Sequence, residues 1–188
     1  MGGLNPYRLT RAWEDEAVSL EAHDKSRALE LWAQYAKFKL SKGSYLLAVY
    51  GSLQVARLLE ASGDELGSAE QYLEAARVAR DKLKDHALAT LLLLNAARAY
   101  MLAEKWLEAA HCYEEVGALW EGLGNYFMAA DAYEHAANSW SRAGLNARGY
   151  VKPLVMWLKN AGLHLSRGSI DDARWSLQRA LEYLRSMA

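Results

Sequence analysis

Residues that favour β-sheet are scarce in this sequence. Its 188 residues include only 7 Val, 1 Ile and 2 Thr, against 33 Ala and 31 Leu. β-Branched side chains pack well on a pleated sheet, whereas Ala and Leu lose little entropy on entering a helix. The composition therefore excludes an all-β fold and argues against an α/β fold. We expect an all-α protein that is long enough to bury a sizeable core.

Cysteine and long apolar runs are scarce as well. The single cysteine, Cys112, cannot form an internal disulfide, so nothing points to an oxidising compartment. The leucine run Leu91-Leu92-Leu93-Leu94 is too short to span a bilayer, and the N-terminus lacks the pattern of a signal peptide. We therefore expect a cytoplasmic protein without a transmembrane segment.

Turn signals, most of them containing glycine, recur at intervals of about 20 residues. They predict nine helices, the first of which begins after an Asn5-Pro6 cap. The predicted helices are 6–22, 25–42, 44–61, 65–83, 86–102, 105–122, 125–142, 151–166 and 169–186. In 86–102 the apolar residues surround the whole helix, so we expect this helix to be sandwiched between neighbouring helices. Arg98 would then be buried, and we expect it to pair with a carboxylate or with carbonyl groups.

The chain also repeats itself. The segments Gly43-Ser-Tyr45-x-x-Ala48, Gly124-Asn-Tyr126-x-x-Ala129 and Gly168-Ser-Ile170-x-x-Ala173 share one form. Together with aromatic residues upstream, as in Trp157-x-x-Asn160-Ala161, they resemble tetratricopeptide (TPR) repeats, in which small residues let helices approach closely. Glycines inside helices, at Gly117 and Gly162, are expected to allow the same close packing. The resemblance covers 25–186 and implies a right-handed array of antiparallel helical hairpins.

The predicted array forms one domain, 1–188. Helix 6–22 caps one end, and the hairpins are 25–61, 65–102, 105–142 and 151–186. The period of about 40 residues exceeds the TPR length of about 34. Longer hairpins, and phrases such as Tyr133-Glu-His-Ala136-Ala137, are similar to those of the soluble attachment proteins (SNAPs), which implies an adaptor that presents other proteins to an ATPase.

The resemblance implies that the first helix of each hairpin lines a concave, partner-binding wall. The residues expected on that wall are Glu30, Lys37, Arg77, Arg80, His111, Glu114, Leu158 and Leu165. Trp175 lies opposite the apolar stripe of its helix (Ile170, Ala173, Leu177, Ala180, Leu181 and Leu184), beside Arg179 and Glu182. An aromatic side chain beside charges is typical of an interface anchor, although packing beneath the chain end or a neighbouring helix explains Trp175 equally well.

Charge is unevenly distributed along the chain. Residues 1–139 carry 14 basic and 20 acidic side chains, whereas residues 140–188 carry 8 basic and 3 acidic ones. The eight are Arg142, Arg148, Lys152, Lys159, Arg167, Arg174, Arg179 and Arg185. A solvated face is the favoured explanation. Binding of nucleic acid or another polyanion through 140–188 is the alternative function, and association of the basic end with the acidic body of a second copy also stays open.

Nothing in the sequence favours catalysis, a metal or a cofactor. Glu108-x-x-His111 is the kind of pair found in di-iron bundles, but such a site needs a second pair and two more glutamates, and this pair falls on a polar face. Cys112 falls on an apolar arc, where a thiol behaves as a small hydrophobic residue. We therefore expect a non-enzymatic protein-binding scaffold whose partner is unidentified.

Overall fold

Seven of the residues that the structure describes have a left-handed backbone conformation, and they lie at the turns between helices. In the computed structural model, which describes residues 6–145 and 151–186 and side chains of 11–145 and 151–185, Gly43, Gly63, Gly124, Gly144 and Gly168 have φ of 71–82°. Lys84 and Glu104 adopt φ of 56° and 57°. Every turn predicted from the sequence after residue 40 contains one of these seven positions.

The turns satisfy the backbone at helix ends in a repeated way. After Gly43, the amide of Ser44 donates to the carbonyl of Lys39 at 2.9 Å, and after Gly124 the amide of Asn125 donates to that of Trp120 at 3.0 Å. This hydrogen bond, from an amide to the carbonyl five residues earlier, closes the last helical turn and requires a left-handed residue just before the donor. Asp24, Asp64 and Asn125 then cap the following helix by accepting the amide three residues on.

Nine α-helices lie in the described residues. They are α1 (Pro6–Leu20), α2 (Lys25–Ser41), α3 (Tyr45–Glu60), α4 (Glu65–Val78), α5 (His86–Leu102), α6 (Trp106–Gly122), α7 (Tyr126–Arg142), α8 (Val151–Ser166) and α9 (Ile170–Ser186). A π-helical turn, Ala79–Leu83, extends α4. The prediction of an all-α fold is confirmed, and no helix of the described ranges has the length and apolarity to cross a membrane. Asn5 and Arg148 lie outside the described residues.

The chain divides into two compact units, Met1–Ala99 and Tyr100–Ala188, with the boundary inside α5. In unit 1, α1 packs on α2, α2 on α3 and α3 on α4. In unit 2, α6 packs on α7, α7 on α8 and α8 on α9. The handedness of the array and its organisation as one domain stay predictions.

Buried small residues hold each unit together. The three alanines that follow the shared glycine turns, Ala48, Ala129 and Ala173, are 3%, 0% and 1% exposed. Large side chains complete the cores, including Trp32 and Tyr35 in unit 1 and Tyr133 and Trp157, which cluster with Ala129, in unit 2. Gly117 has the predicted role, because a Cβ there would lie 2.7 Å from the Tyr133 ring.

Three expectations about packing are wrong. Gly162 has open space where its Cβ would be, so it does not serve a close helix contact. Arg98 is exposed rather than buried, although it does pair with a carboxylate, that of Glu60, at 3.2 Å. The stripe predicted as the apolar face of α9 is divided. Ala173 and Ala180 are buried, whereas Ile170, Leu177, Leu181 and Leu184 are 41–65% exposed.

These differences follow from where each helix has neighbours. The exposed positions of α5 form a single stripe that includes Leu91, Arg98 and Leu102, so α5 is buried around most but not all of its surface. Helix α9 packs on α8 and is the last described helix of unit 2, which leaves its leucine-rich side uncovered. Helical periodicity identifies an apolar face but does not say whether another helix covers it.

Candidate functional site

Three aromatic rings meet at a cavity of about 460 Å³ in unit 2. We call it the α7–α9 cavity, because it is lined by residues of α7, α8 and α9. The lining residues are Phe127, Asp131, Trp157, Trp175, Gln178, Arg179 and Glu182.

The rings form a floor and two sides. Trp157 lies at the floor and is 2% exposed. The Phe127 and Trp175 rings stand at 80° to it, with centroid separations of 5.6 and 5.3 Å, and are tilted by 32° to each other. Phe127 and Trp175 remain 43% and 47% exposed. The cavity therefore presents aromatic surface to solvent on a buried aromatic base.

A polar network fixes the floor of the cavity. The Trp157 indole N–H donates to Glu134 Oε1 at 2.5 Å, and Arg179 Nη2 donates to Glu134 Oε2 at 2.8 Å. The Arg179 guanidinium also lies over the Trp157 ring, 5.6 Å from its centroid, and contacts Glu182 at 3.4 Å. Glu134 thus binds one partner with each oxygen, and it orients both the ring and the cation.

Two of the residues predicted from the sequence, Trp175 and Arg179, come together in this cavity. The Trp175 ring packs against α7 and α8 and stays half-exposed. Its role as an interface anchor stays a prediction. Sequence reasoning missed Phe127, Asp131 and Glu134, which belong to α7. Only Phe127 has a signal in the sequence. It lies three residues after Gly124, just as the exposed Leu46 lies three residues after Gly43.

The other predicted residues lie in separate places. Lys37 is exposed on α2, Arg77 is 3.6 Å from Glu74, and Arg80 forms two bonds to Asp81 at 2.7 and 3.0 Å. These three belong to unit 1, and their use as a binding wall stays a prediction.

In unit 2, His111 is exposed, with its ring edge-to-face on Trp140 at 4.7 Å, and it lies 3.7 Å from Glu114. Glu114 also contacts Lys152 at 3.5 Å. Leu158 and Leu165 are 48% and 55% exposed on α8. Glu30, in unit 1, is exposed and pairs with Arg27 at 2.8 Å.

A metal site is not evident in the part of the chain that the structure describes. No group of three His, Cys, Asp or Glu side chains there is close enough to hold an ion. Cys112 is buried, 3% exposed, as the apolar arc predicts. Absence of catalysis stays a prediction.

Comparison with known proteins gives structural neighbours but no sequence relatives. No protein-family model and no curated protein matches the chain. A Podospora anserina protein described as a kinesin light chain with nearly identical TPR-like repeats is similar over 98% of this chain and 97% of its own, with 16% identity and a TM-score of 0.49. A signal-transduction ATPase of Pyrococcus horikoshii with a tetratricopeptide repeat sensor is similar over 94% of this chain and 31% of its own, with 15% identity and a TM-score of 0.46.

The architecture rests on the repeat within the chain itself. A left-handed turn, a buried alanine five residues later and an aromatic residue upstream recur in successive hairpins. The fold is TPR-like. The resemblance to attachment proteins is not confirmed.

Proposed function

We propose that the chain is a scaffold that binds another protein, and that the α7–α9 cavity receives a segment of that partner. The observation that supports this most directly is Trp175, a half-exposed indole in contact with two further aromatic rings. Tryptophan at the centre of a concave surface is among the residues that contribute most to protein–protein affinity. The segment that fits best carries one apolar or aromatic anchor residue.

The rigidity of the site adds to this proposal. Because Glu134 holds Trp157 and Arg179 in place, a partner loses little energy in ordering the cavity when it binds. The rim of the cavity carries the polar side chains of Gln178, Glu182 and Asp131, of which Gln178 donates to Glu182 at 3.0 Å. Such groups can exchange these contacts for the backbone of an extended segment. A rigid aromatic base with a polar rim is the usual anatomy of a protein-binding surface.

The test is affinity capture from the native cell, followed by binding of the purified partner. Trp175→Ala is expected to weaken binding of that partner by at least about tenfold, because truncation of a central Trp anchor typically costs that much or more. Leu91→Ala, which removes an exposed apolar side chain on α5 outside the cavity, is the matched control and should bind as the wild type does. Equal binding by Trp175→Ala, with unchanged helicity, would reject the cavity as the docking site.

The alternative, binding of a polyanion through 140–188, has less support from the contacts. Lys152 pairs with Glu114, Lys159 with Glu121 at 2.8 Å, and Arg179 with Glu134. Arg142 lies over the Trp106 ring at 4.7 Å. Half of the eight basic side chains in this segment are therefore already engaged within unit 2.

A further inference from the structure

Unit 1 contains a counterpart of the α7–α9 cavity. Trp32 and Tyr50 precede Trp157 and Trp175 by 125 residues. Glu14 and Val18 of α1, and Glu21 just after its end, precede Phe127, Asp131 and Glu134 of α7 by 113. The counterpart, which we call the α1–α3 cavity, has a volume of about 540 Å³. It is lined by Glu14, Asp15, Val18, Ser19, Trp32, Leu47 and Tyr50.

The two cavities share their supporting contacts. The Trp32 indole N–H donates to Glu21 Oε1 at 3.1 Å, as that of Trp157 donates to Glu134. In both units an arginine of the third helix binds the second oxygen of the same glutamate, Arg57 in unit 1 and Arg179 in unit 2. The same construction therefore occurs twice, with different side chains at the opening.

The two cavities differ at one position of the third helix, whose side chain in unit 2 covers the tryptophan ring of the middle helix. In unit 2 this position is Arg179, over Trp157. In the α6–α7 hairpin the equivalent residue, 44 positions earlier, is His135, which stacks on Tyr113 with centroids 5.1 Å apart and planes at 24°. In unit 1 the equivalent residue is Gln54, whose amide oxygen accepts a hydrogen bond from Arg57 Nε at 3.1 Å.

The lining of the α1–α3 cavity has the chemistry that a cation requires. Trp32 and Tyr50 stand edge-to-face, with centroids 5.6 Å apart, and Tyr50 is 41% exposed. Two carboxylates, Glu14 and Asp15, lie beside the rings, and none of the lining residues is basic. The Tyr35 hydroxyl donates to Glu14 Oε1 at 2.6 Å and so positions that carboxylate.

We propose that the α1–α3 cavity binds the side chain of an arginine in an extended segment of a partner protein. The guanidinium stacks on the half-exposed Tyr50 ring above Trp32, which lies at the base of the cavity and is 1% exposed, and it donates hydrogen bonds to Asp15 and Glu14. Its aliphatic stem lies along Leu47 and Val18. Guanidinium combines aromatic stacking with planar pairing to carboxylates, which an ammonium does not do as well. Arg179 of unit 2 is the intramolecular example of the same recognition.

The experiment uses the full-length, ¹⁵N-labelled chain and the blocked peptide Ac-Gly-Ser-Arg-Ser-Gly-NH₂. The Trp32 indole signal, assigned with Trp32→Phe, is expected to shift on titration, with a dissociation constant on the order of 1 mM because few contacts are available. The citrulline peptide, which keeps the shape and loses the charge, is expected to bind at least about tenfold more weakly. Equal shifts with the citrulline peptide would overturn the proposal.

Two variants that exchange the residue types at positions 54 and 179 test whether these positions are equivalent in the two cavities. Gln54→Arg supplies the chain's own guanidinium over Trp32 and is expected to abolish the shift, whereas Arg179→Gln is expected to create a second response at the Trp157 indole. Asp15→Asn, an exposed change that does not threaten folding, should weaken binding by about threefold to tenfold. If Gln54→Arg and Asp15→Asn both bound the peptide with the affinity of the wild type, the proposal would be overturned. The same holds if, in the wild type, the peptide shifted only the Trp157 indole signal. Because Trp175 takes no part, failure here is distinguishable from failure of the α7–α9 cavity.

Discussion

Glycines within helices have opposite roles at two positions of unit 2. Gly117 of α6 is buried against the Tyr133 ring, which lies 2.7 Å from the site of an added Cβ. Gly162 of α8 has no atom within 4 Å of that site. Both residues have ordinary helical backbone, so replacing either with alanine gives the same intrinsic gain in helix stability. Only the surroundings of the added methyl group differ.

Gly162→Ala is therefore expected to raise the free energy of unfolding by about 0.5–1 kcal/mol, the usual gain in a helix interior. Gly117→Ala is expected to lower it by about 1–3 kcal/mol, because the α6–α7 approach must open to admit the methyl group. Chemical denaturation of the two variants, followed by circular dichroism, checks both signs. A gain at both positions would contradict the close approach at Gly117.

Tyr133 links α6 and α7 in a pH-dependent way. Its hydroxyl donates to Glu121 Oε2 at 3.2 Å, and burial, reinforced by the negative charge of Glu121, raises the pKa of Tyr133 to about 12. In the unfolded chain a tyrosine has a pKa of about 10. The folded state therefore resists the ionisation of Tyr133 between these two values.

The stabilising effect of this shift is complete below pH 10 and is lost as pH rises from about 10 to about 12, because the unfolded chain releases its proton first. Tyr133→Phe should show a smaller loss of stability over that interval than the wild type. Denaturant midpoints measured from pH 8 to pH 12 test this, with Tyr45→Phe as the control for removal of one hydroxyl. An identical pH profile for Tyr133→Phe and the wild type would reject this explanation.

At the scale of the element, sequence reasoning located the helices to within a few residues. Predicted ends such as 86–102 and 151–166 agree with α5 and α8. The predicted helix 6–22 ends two residues early, at Leu20. Helix ends are predictable because caps and left-handed turn residues act within four or five residues of chain.

The two sides of α9 provide a test of what periodicity leaves open. Leu181 is 54% exposed and Ala180 is 2% exposed, although both belong to the predicted apolar stripe. Leu181→Lys is expected to change the free energy of unfolding by less than about 0.5 kcal/mol, as surface substitutions do. Ala180→Lys places an unpaired charge in the core beside Trp157 and is expected to cost about 3 kcal/mol or more.

Thermal and urea unfolding of these two variants distinguish the arrangements. If Leu181→Lys destabilised the chain as strongly as Ala180→Lys, the whole stripe would be buried, as the sequence alone suggested.

At the scale of the whole molecule, the basic residues of 140–188 contrast with an acidic remainder. Arg142, Lys152, Lys159 and Arg179 already contact carboxylates or an aromatic ring within unit 2. The hydrogen bond from Lys159 at 2.8 Å also lowers the pKa of Glu121. Much of the positive charge is therefore engaged before any polyanion arrives.

We expect a single-stranded DNA of about 20 nucleotides to bind only weakly near 50 mM salt and to dissociate by about 200 mM, because few phosphate contacts remain available. Fluorescence anisotropy across this range is the measurement, with Arg174→Glu as the charge control. Binding that persists at 200 mM and weakens in Arg174→Glu would instead support the polyanion alternative.

The sequence by itself determined the all-α class, the positions of the turns and the recurrence of small residues after them. These features depend on interactions between residues close in the chain. Only the tertiary structure decided that Trp175 stays half-exposed, that Arg98 is at the surface and that the leucines of α9 are uncovered. Both cavities are also tertiary features, because each needs three helices, as in the contact of Trp157 with Glu134 and Arg179. Helical periodicity specifies which side chains share a face, and packing against distant helices specifies which of those faces remain open to a partner.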